Sequence, residues 1–179
     1  MKILFGIDKD TMSSSISHTI KKRDTPKDVF YTPLTLVKVH LDFITEFIKE
    51  GDKWFDPFYG EGAYYNAYPT ENKMFTEIAM GKDFFEFKEE VDMIVSNPPY
   101  SMIDKVLEHS VSLKPRVISY LIGMGNMTTR RIENMNKHGY GLAKVQMTKV
   151  FKWYGMSLIV VFVKGHMVNA IEFDRTVHK

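Results

Sequence analysis

The sequence predicts an α/β protein: a doubly wound, mostly parallel sheet with one antiparallel strand. Three observations lead there. Near-continuous Val- and Ile-rich runs recur at Val91–Ser96, Val117–Ile122 and Met156–Lys164, as strands buried on both faces require. Helical periodicity falls between the runs. Glycine turns follow the first two expected strands, at Gly60, Gly62 and Gly81. A chain of 179 residues, 44% hydrophobic and 13% aromatic, is long enough to bury a sizeable core.

The elements follow in order. Residues 1–28, with Ser13-Ser14-Ser15 and Lys21-Lys22-Arg23-Asp24, carry no period and read as a flexible N-terminal arm. Residues 29–179 read as one domain. Thr32-Pro33 opens a helix whose apolar positions Leu34, Val37, Leu41, Ile44 and Ile48 keep helical spacing, and Gly51 ends it. Strands are expected at Lys53–Asp56, Lys73–Ile78, Val91–Ser96 and Val117–Ile122, with helices at Met102–Leu113 and Arg130–Lys137. A closing hairpin, Ala143–Phe151 with Met156–Lys164, turns at Tyr154-Gly155 and supplies the antiparallel strand. Trp153 and Tyr154 beside that turn read as packing residues, as do Phe85 and Phe87, and His109 as structural or exposed.

Composition narrows the function classes. A net charge of +2 permits nucleic-acid contact without demanding it. With no cysteine there are no disulfides and no thiolate metal sites, and the six histidines are scattered, so no metal site is expected. The apolar run Ile3–Ile7 is too short for a signal-peptide core, and Leu158–Val163 is far too short to span a bilayer. The expectation is a soluble, intracellular (cytoplasmic) protein.

The chemistry concentrates in Ser96-Asn97-Pro98-Pro99-Tyr100, directly after an apolar strand. Two consecutive prolines lock φ and remove two backbone donors, and each biases its predecessor toward extended geometry. Asn97 is thereby presented stiffly at a strand end. Its side-chain oxygen and the Pro98 carbonyl form a rigid set of acceptors beside the Tyr100 ring, which suits gripping a planar molecule that carries an NH2 group. Upstream, Asp56-Pro57-Phe58-Tyr59-Gly60-Glu61-Gly62 follows the first strand. Its glycines allow close backbone approach, and an acid at a strand's carboxyl end can bind a cationic amine. An ordinary strand-to-helix turn reads the same way. The pattern lacks the third glycine of a dinucleotide fingerprint, and no phosphate-loop pattern occurs. Glu77, at the end of the second strand, is placed to take ribose hydroxyls, and Asp83 can accept from an adenine amine, with Phe84 packing on the ring; taken singly, each acid also reads as a solvated surface group.

This order resembles the amino-group methyltransferases that use S-adenosylmethionine, the N6-adenine and N4-cytosine DNA methyltransferase family. Asn97–Tyr100 matches the family's Asp/Asn/Ser-Pro-Pro-aromatic catalytic tetrapeptide in full, and Asp56–Gly62 matches its cofactor turn. Phe30-Tyr31-Thr32-Pro33 looks like its upstream cofactor-contacting element, and the element-turn-catalysis order is that of Dam-type adenine enzymes. The motifs cover Phe30 to Tyr100.

The resemblance implies a Rossmann-like fold, S-adenosylmethionine as cofactor, and methyl transfer to an exocyclic base amine, with N6 of adenine in DNA favoured over cytosine. It implies that Asn97, Pro98, Pro99 and Tyr100 carry catalysis, and that Tyr31, Thr32, Pro33, Asp56, Pro57, Phe58, Gly60, Gly62, Glu77, Asp83 and Phe84 hold the cofactor.

The chain departs from the family in having no stretch long enough for a target-recognition insert, and Glu61 and Ala63-Tyr64-Tyr65 are bulky beside the small residues usual in that turn. A partner subunit or homo-oligomer supplying recognition, RNA or a protein glutamine amide as substrate, and a non-catalytic nucleic-acid-binding subunit are therefore alternatives. Lys21, Lys22, Arg23, Lys27, Arg130, Arg131, Lys149 and Lys152 are candidates for steering a phosphate backbone.

Overall fold

The computed structural model describes residues 31–149 and 156–174. The arm 1–28, Phe30, the basic residues Lys21, Lys22, Arg23, Lys27 and Lys152, and the expected turn at Trp153, Tyr154 and Gly155 lie outside the described residues.

The strands are β1 Trp54–Asp56, β2 Lys73–Phe75, β3 Met93–Ser96, β4 Val117–Gly123, β5 Tyr140–Thr148 and β6 Ser157–Lys164. They form a single sheet in the order β2-β1-β3-β4-β6-β5. β1 pairs in parallel with β2 and β3, and β3 in parallel with β4. β6 runs antiparallel to both neighbours, with Tyr120 opposite Val160 and Met147 opposite Leu158. One strand thus runs against the rest, as the sequence predicts. The order reverses at β1: the chain leaves it toward β2 on one side, then returns to place β3 on the other. In open parallel sheets the space outside the carboxyl ends at such a reversal is where ligands bind.

Period-two alternation sorts the strand residues between two cores. Phe55, Ile94, Ile118, Tyr120, Ile122, Val160 and Phe162 pack on one face against α3 (Ile103–Ser112) and α4 (Thr129–Lys137), through Ile103, Val106, Ile132 and Met135. Trp54, Met93, Val95, Val117 and Val161 pack on the other against α1 (Leu34–Phe43) and the short α2 (Ala63–Ala67), through Val37 and Tyr64. Helices cover both faces, so the sheet is doubly wound. Among the described residues no helix is long and apolar enough to cross a membrane.

α1 starts where expected, behind Pro33, whose carbonyl accepts from Leu36 N at 2.9 Å and Val37 N at 3.1 Å. It stops earlier than the spacing predicts. Thr45 Oγ1 donates to Leu41 O at 3.2 Å and Asp42 O at 2.9 Å, drawing carbonyls off the helical ladder, and a 3-10 turn over Thr45–Phe47 replaces the last turns. The buried stripe is also shifted. Leu34 is exposed, whereas Leu36, Val37, His40 and Ile44 are buried.

β2 ends at Phe75, short of Ile78, because Glu77 turns its carboxylate onto Ala79 N and caps a 3-10 turn over Ile78–Met80, leaving Ile78 exposed. β5 starts three positions early, at Tyr140, and carries a bulge between Leu142 and Lys144. α2 was not foreseen. Phe85 and Phe87 pack against the first core, and His109, half-buried, bonds Phe87 O at 3.0 Å.

Gly141 shows how tightly the far edge of the sheet is closed. A Cβ at this position would collide with the His166 backbone carbonyl, which cannot swing aside as a side chain can. Gly141→Ala is expected to destabilise the fold by about 1–3 kcal/mol, read as a lower urea midpoint at unchanged m-value. An unshifted midpoint would show that the 165–174 segment gives way freely.

Candidate functional site

The site grows from the carboxyl ends of β1, β2 and β3. Asp56, the last residue of β1, is fully buried. Its Oδ1 accepts from Ser96 Oγ at 2.6 Å and from Phe58 N at 3.3 Å, so the ends of β1 and β3 are stitched together. Its Oδ2 is buried, and among the described residues no donor meets it within hydrogen-bond geometry. Burial penalises the charged form and pushes the carboxyl up to about 6, with the Glu77 charge adding to it, against the pull of the Ser96 hydroxyl and the Phe58 and Tyr65 backbone amides.

The glycine turn is pinned from the neighbouring strand. Glu77 Oε2 accepts from Gly60 N at 2.8 Å and Oε1 from Ala79 N at 3.1 Å. Thr76 Oγ1 donates to the carbonyl of buried Pro57 at 2.8 Å. Gly62 has φ +80° and no room for a side chain, since a Cβ there would sit 2.6 Å from Tyr59 Oη. Gly60, at φ +54°, lies beneath the half-exposed Tyr31 ring, 3.6 Å from where its Cβ would stand. Glycine is the residue that both conformations call for.

The upstream element and the tetrapeptide meet directly beyond the strand ends. Asn97 Nδ2 donates to Thr32 Oγ1 at 3.1 Å, joining positions 65 residues apart. Pro98 is buried, Asn97 and Pro99 are half-buried, and Pro33 is exposed at the head of α1. The Tyr100 ring lies against Gly123 at the end of β4, 3.3 Å from where a Cβ would be.

Tyr31, Thr32, Asp56, Gly60, Glu77 and Asn97 are thus brought together through direct contacts or a shared strand end. Phe58 packs on Phe84 with centroids 5.1 Å apart. Phe84 itself is 3% exposed, held among Phe55, Phe58, Phe85 and His109. Its ring belongs to the core and is not offered as an open stacking face. Asp83 caps the following 3-10 turn, with Oδ1 accepting from Phe85 N at 2.9 Å.

Sequence reasoning missed Ser96 and Gly123. Ser96 had a signal: it is the one polar residue closing the run Met93-Ile94-Val95. Gly123 had none, because its part is to leave room for a ring that arrives from another strand. Arg130 and Arg131 are both committed to Asp104, at 2.9 Å and 2.7 Å, and Arg131 also donates to Asn126 O at 2.7 Å. Lys149 is exposed. Among the described residues no group of three or more His, Asp or Glu side chains is arranged to hold a metal.

No protein-family model and no curated relative matches the chain. Solved structures do match by shape. A methyltransferase from Pyrococcus furiosus superposes with a TM-score of 0.54 at 18% identity, covering 88% of this chain and all of that one. Magnesium protoporphyrin IX methyltransferase from Synechocystis PCC 6803, solved with bound SAM, gives 0.54 at 13% identity over 90% of this chain and all of its own. A modification subunit assigned to a type I restriction enzyme of Vibrio vulnificus YJ016 gives 0.54 at 11% identity, and this chain spans 51% of it. The chain has the Rossmann-like fold of class I methyltransferases.

The buried carboxyl generates a stability signature. The folded value of Asp56, about 6, lies above the ordinary aspartate value of 3.8, so the native state binds the proton more tightly. Its contribution is favourable below the unfolded value, is lost as pH rises through about 4 to 6, and stays lost above that. Asp56→Asn removes the ionisation. Relative to wild type, the variant is expected to gain about 2–3 kcal/mol between pH 4 and pH 7.5 in denaturant unfolding. Parallel pH profiles would refute the raised value.

Proposed function

We propose that the protein transfers a methyl group from S-adenosylmethionine to an exocyclic amine of a nucleobase, with N6 of adenine in DNA the preferred acceptor. The observation that carries this reading is the bond from Asn97 to Thr32 across the crevice bounded by Asp56, Gly60 and Glu77. The fold adds support, since two of the matched structures are methyltransferases and a third is a modification subunit assigned to a type I restriction enzyme.

The residues present fit the cofactor. A buried carboxylate with an unmatched oxygen suits the cationic amine of an amino-acid group, and Asp56 Oδ2 is such an atom. A second carboxylate, Glu77, on the Gly60 amide suits ribose hydroxyls, and Asp83 an adenine amine. Tyr31, Thr32, Pro33, Pro57, Phe58 and Gly62 line the site, with the core ring of Phe84 packed behind Phe58. When bound, S-adenosylmethionine supplies an electrophilic sulfonium methyl.

The difficulty left to the protein is the acceptor amine, whose lone pair is delocalised into the ring. Asn97 Oδ1 and the Pro98 carbonyl accept the two amine hydrogens, drawing the nitrogen toward tetrahedral geometry and stabilising the positive charge that develops on it. Pre-set dipoles of this kind are usually the largest catalytic contribution. Pro98 and Pro99 keep the acceptors stiff. Tyr100 stacks on the base, a contact worth about 1–3 kcal/mol. A base within a duplex must first be extruded, which is easier from single strands.

Asn97→Ala is expected to lower methyl transfer by about 100-fold or more while S-adenosylhomocysteine still binds. An Asn97→Ala enzyme of full activity removes the assigned role. Labelled cofactor offered separately with DNA, RNA and cell protein identifies the acceptor. Label in RNA or in protein glutamine in place of DNA replaces the preferred substrate, and cofactor binding without label in any of the three favours a non-catalytic subunit. Asp56→Ala is expected to weaken S-adenosylhomocysteine binding in calorimetry, and equal affinity refutes its cofactor role.

A further inference from the structure

The reaction leaves unused a fully buried histidine midway along α1. His40 Nδ1 lies 2.9 Å from Tyr64 Oη in α2, and Nε2 lies 2.7 Å from Ser119 Oγ in β4. Ser119 Oγ donates onward to Val160 O in β6 at 3.1 Å. With the Ser119 proton committed there, Nε2 must carry the hydrogen and donate to Oγ. Nδ1 is then the acceptor of the Tyr64 hydroxyl proton. Every member of the chain is satisfied and every donor points one way. Burial holds the ring neutral, its pKa lowered to about 3, as this tautomer needs.

Two of the elements joined by this chain, α1 and α2, adjoin the candidate site. α1 carries Tyr31, Thr32 and Pro33 at its head, with Thr32 on Asn97 and Tyr31 over Gly60. α2 begins at its N-cap Gly62, directly behind the cofactor turn. Apolar packing of Val37 and Tyr64 holds the two helices on the sheet but does not set their register as directional bonds do. We propose that His40 is a positioning residue, which fixes the separation between the Thr32 end of α1 and the Gly60–Gly62 turn and so shapes the crevice for its nucleoside ligand. This rests on the methyl-transfer reading for the identity of that ligand.

The test measures S-adenosylhomocysteine affinity by calorimetry in wild type, His40→Leu and Tyr64→Phe. The temperature is one at which each protein is fully folded, and thermal stability is recorded separately. Both variants are expected to bind about tenfold more weakly, although neither residue reaches the ligand. A role confined to stability lowers the melting temperature but leaves the affinity of folded molecules unchanged, and that outcome overturns the proposal. Should His40→Leu fail to fold, Tyr64→Phe, which keeps the ring and deletes the donor, decides alone. A wild-type protein that binds no S-adenosylhomocysteine overturns the functional reading, and this proposal with it. Tight wild-type binding with equally tight variants overturns the positioning role alone.

Discussion

Everything at the carboxyl edge of the sheet depends on one hydrogen bond, from Ser96 Oγ to Asp56 Oδ1 at 2.6 Å. A carboxylate taken out of water is costly unless it is met by donors. Here, among the described residues, a serine and a backbone amide bond one of its oxygens, and the Tyr65 amide favours the charge from farther off. The carboxyl therefore sits at a raised pKa of about 6, half-compensated, between two parallel strands whose ends it ties together. That is a poor arrangement for stability alone and a good one for receiving a cation. Sites that perturb a buried acid this way are often functional.

The rest of the edge follows from the sheet's topology. Because β2 and β3 flank β1, three strand ends deliver Asp56, Glu77 and Asn97 to one crevice without any long loop. The connections are rigid for identifiable reasons. Glu77 holds the Gly60 amide, Thr76 holds the Pro57 carbonyl, and the di-proline step holds Asn97. α1 then crosses over from the other side and supplies Thr32. A transfer reaction that asks for little reorganisation is well served by dipoles already in place.

Substrate selection is less built-in. Among the described residues, each connection between consecutive strands holds at most one short helix with 3-10 turns. The arginines best placed by sequence to meet phosphate are engaged by Asp104.

Strand identity and the single antiparallel strand were legible in the sequence, because each is written locally. Apolar runs declare buried strands, prolines fix φ wherever they stand, and glycine turns show by their residue type. The helix end after Phe43 was not legible, since Thr45 diverts carbonyls that the periodicity counts as paired. Nor was the buried stripe of α1. His40 looks polar in sequence and is fully buried, because Tyr64, Ser119 and Val160 reach it from three other elements. Phe84 looked like a ligand face and is core, because Phe55, Phe58 and His109 already cover it. The sequence by itself determined which residues can accept, donate, stack or turn. Only the tertiary structure decided which of them meet, because a partner 65 residues away, as Thr32 is from Asn97, leaves no trace in local spacing.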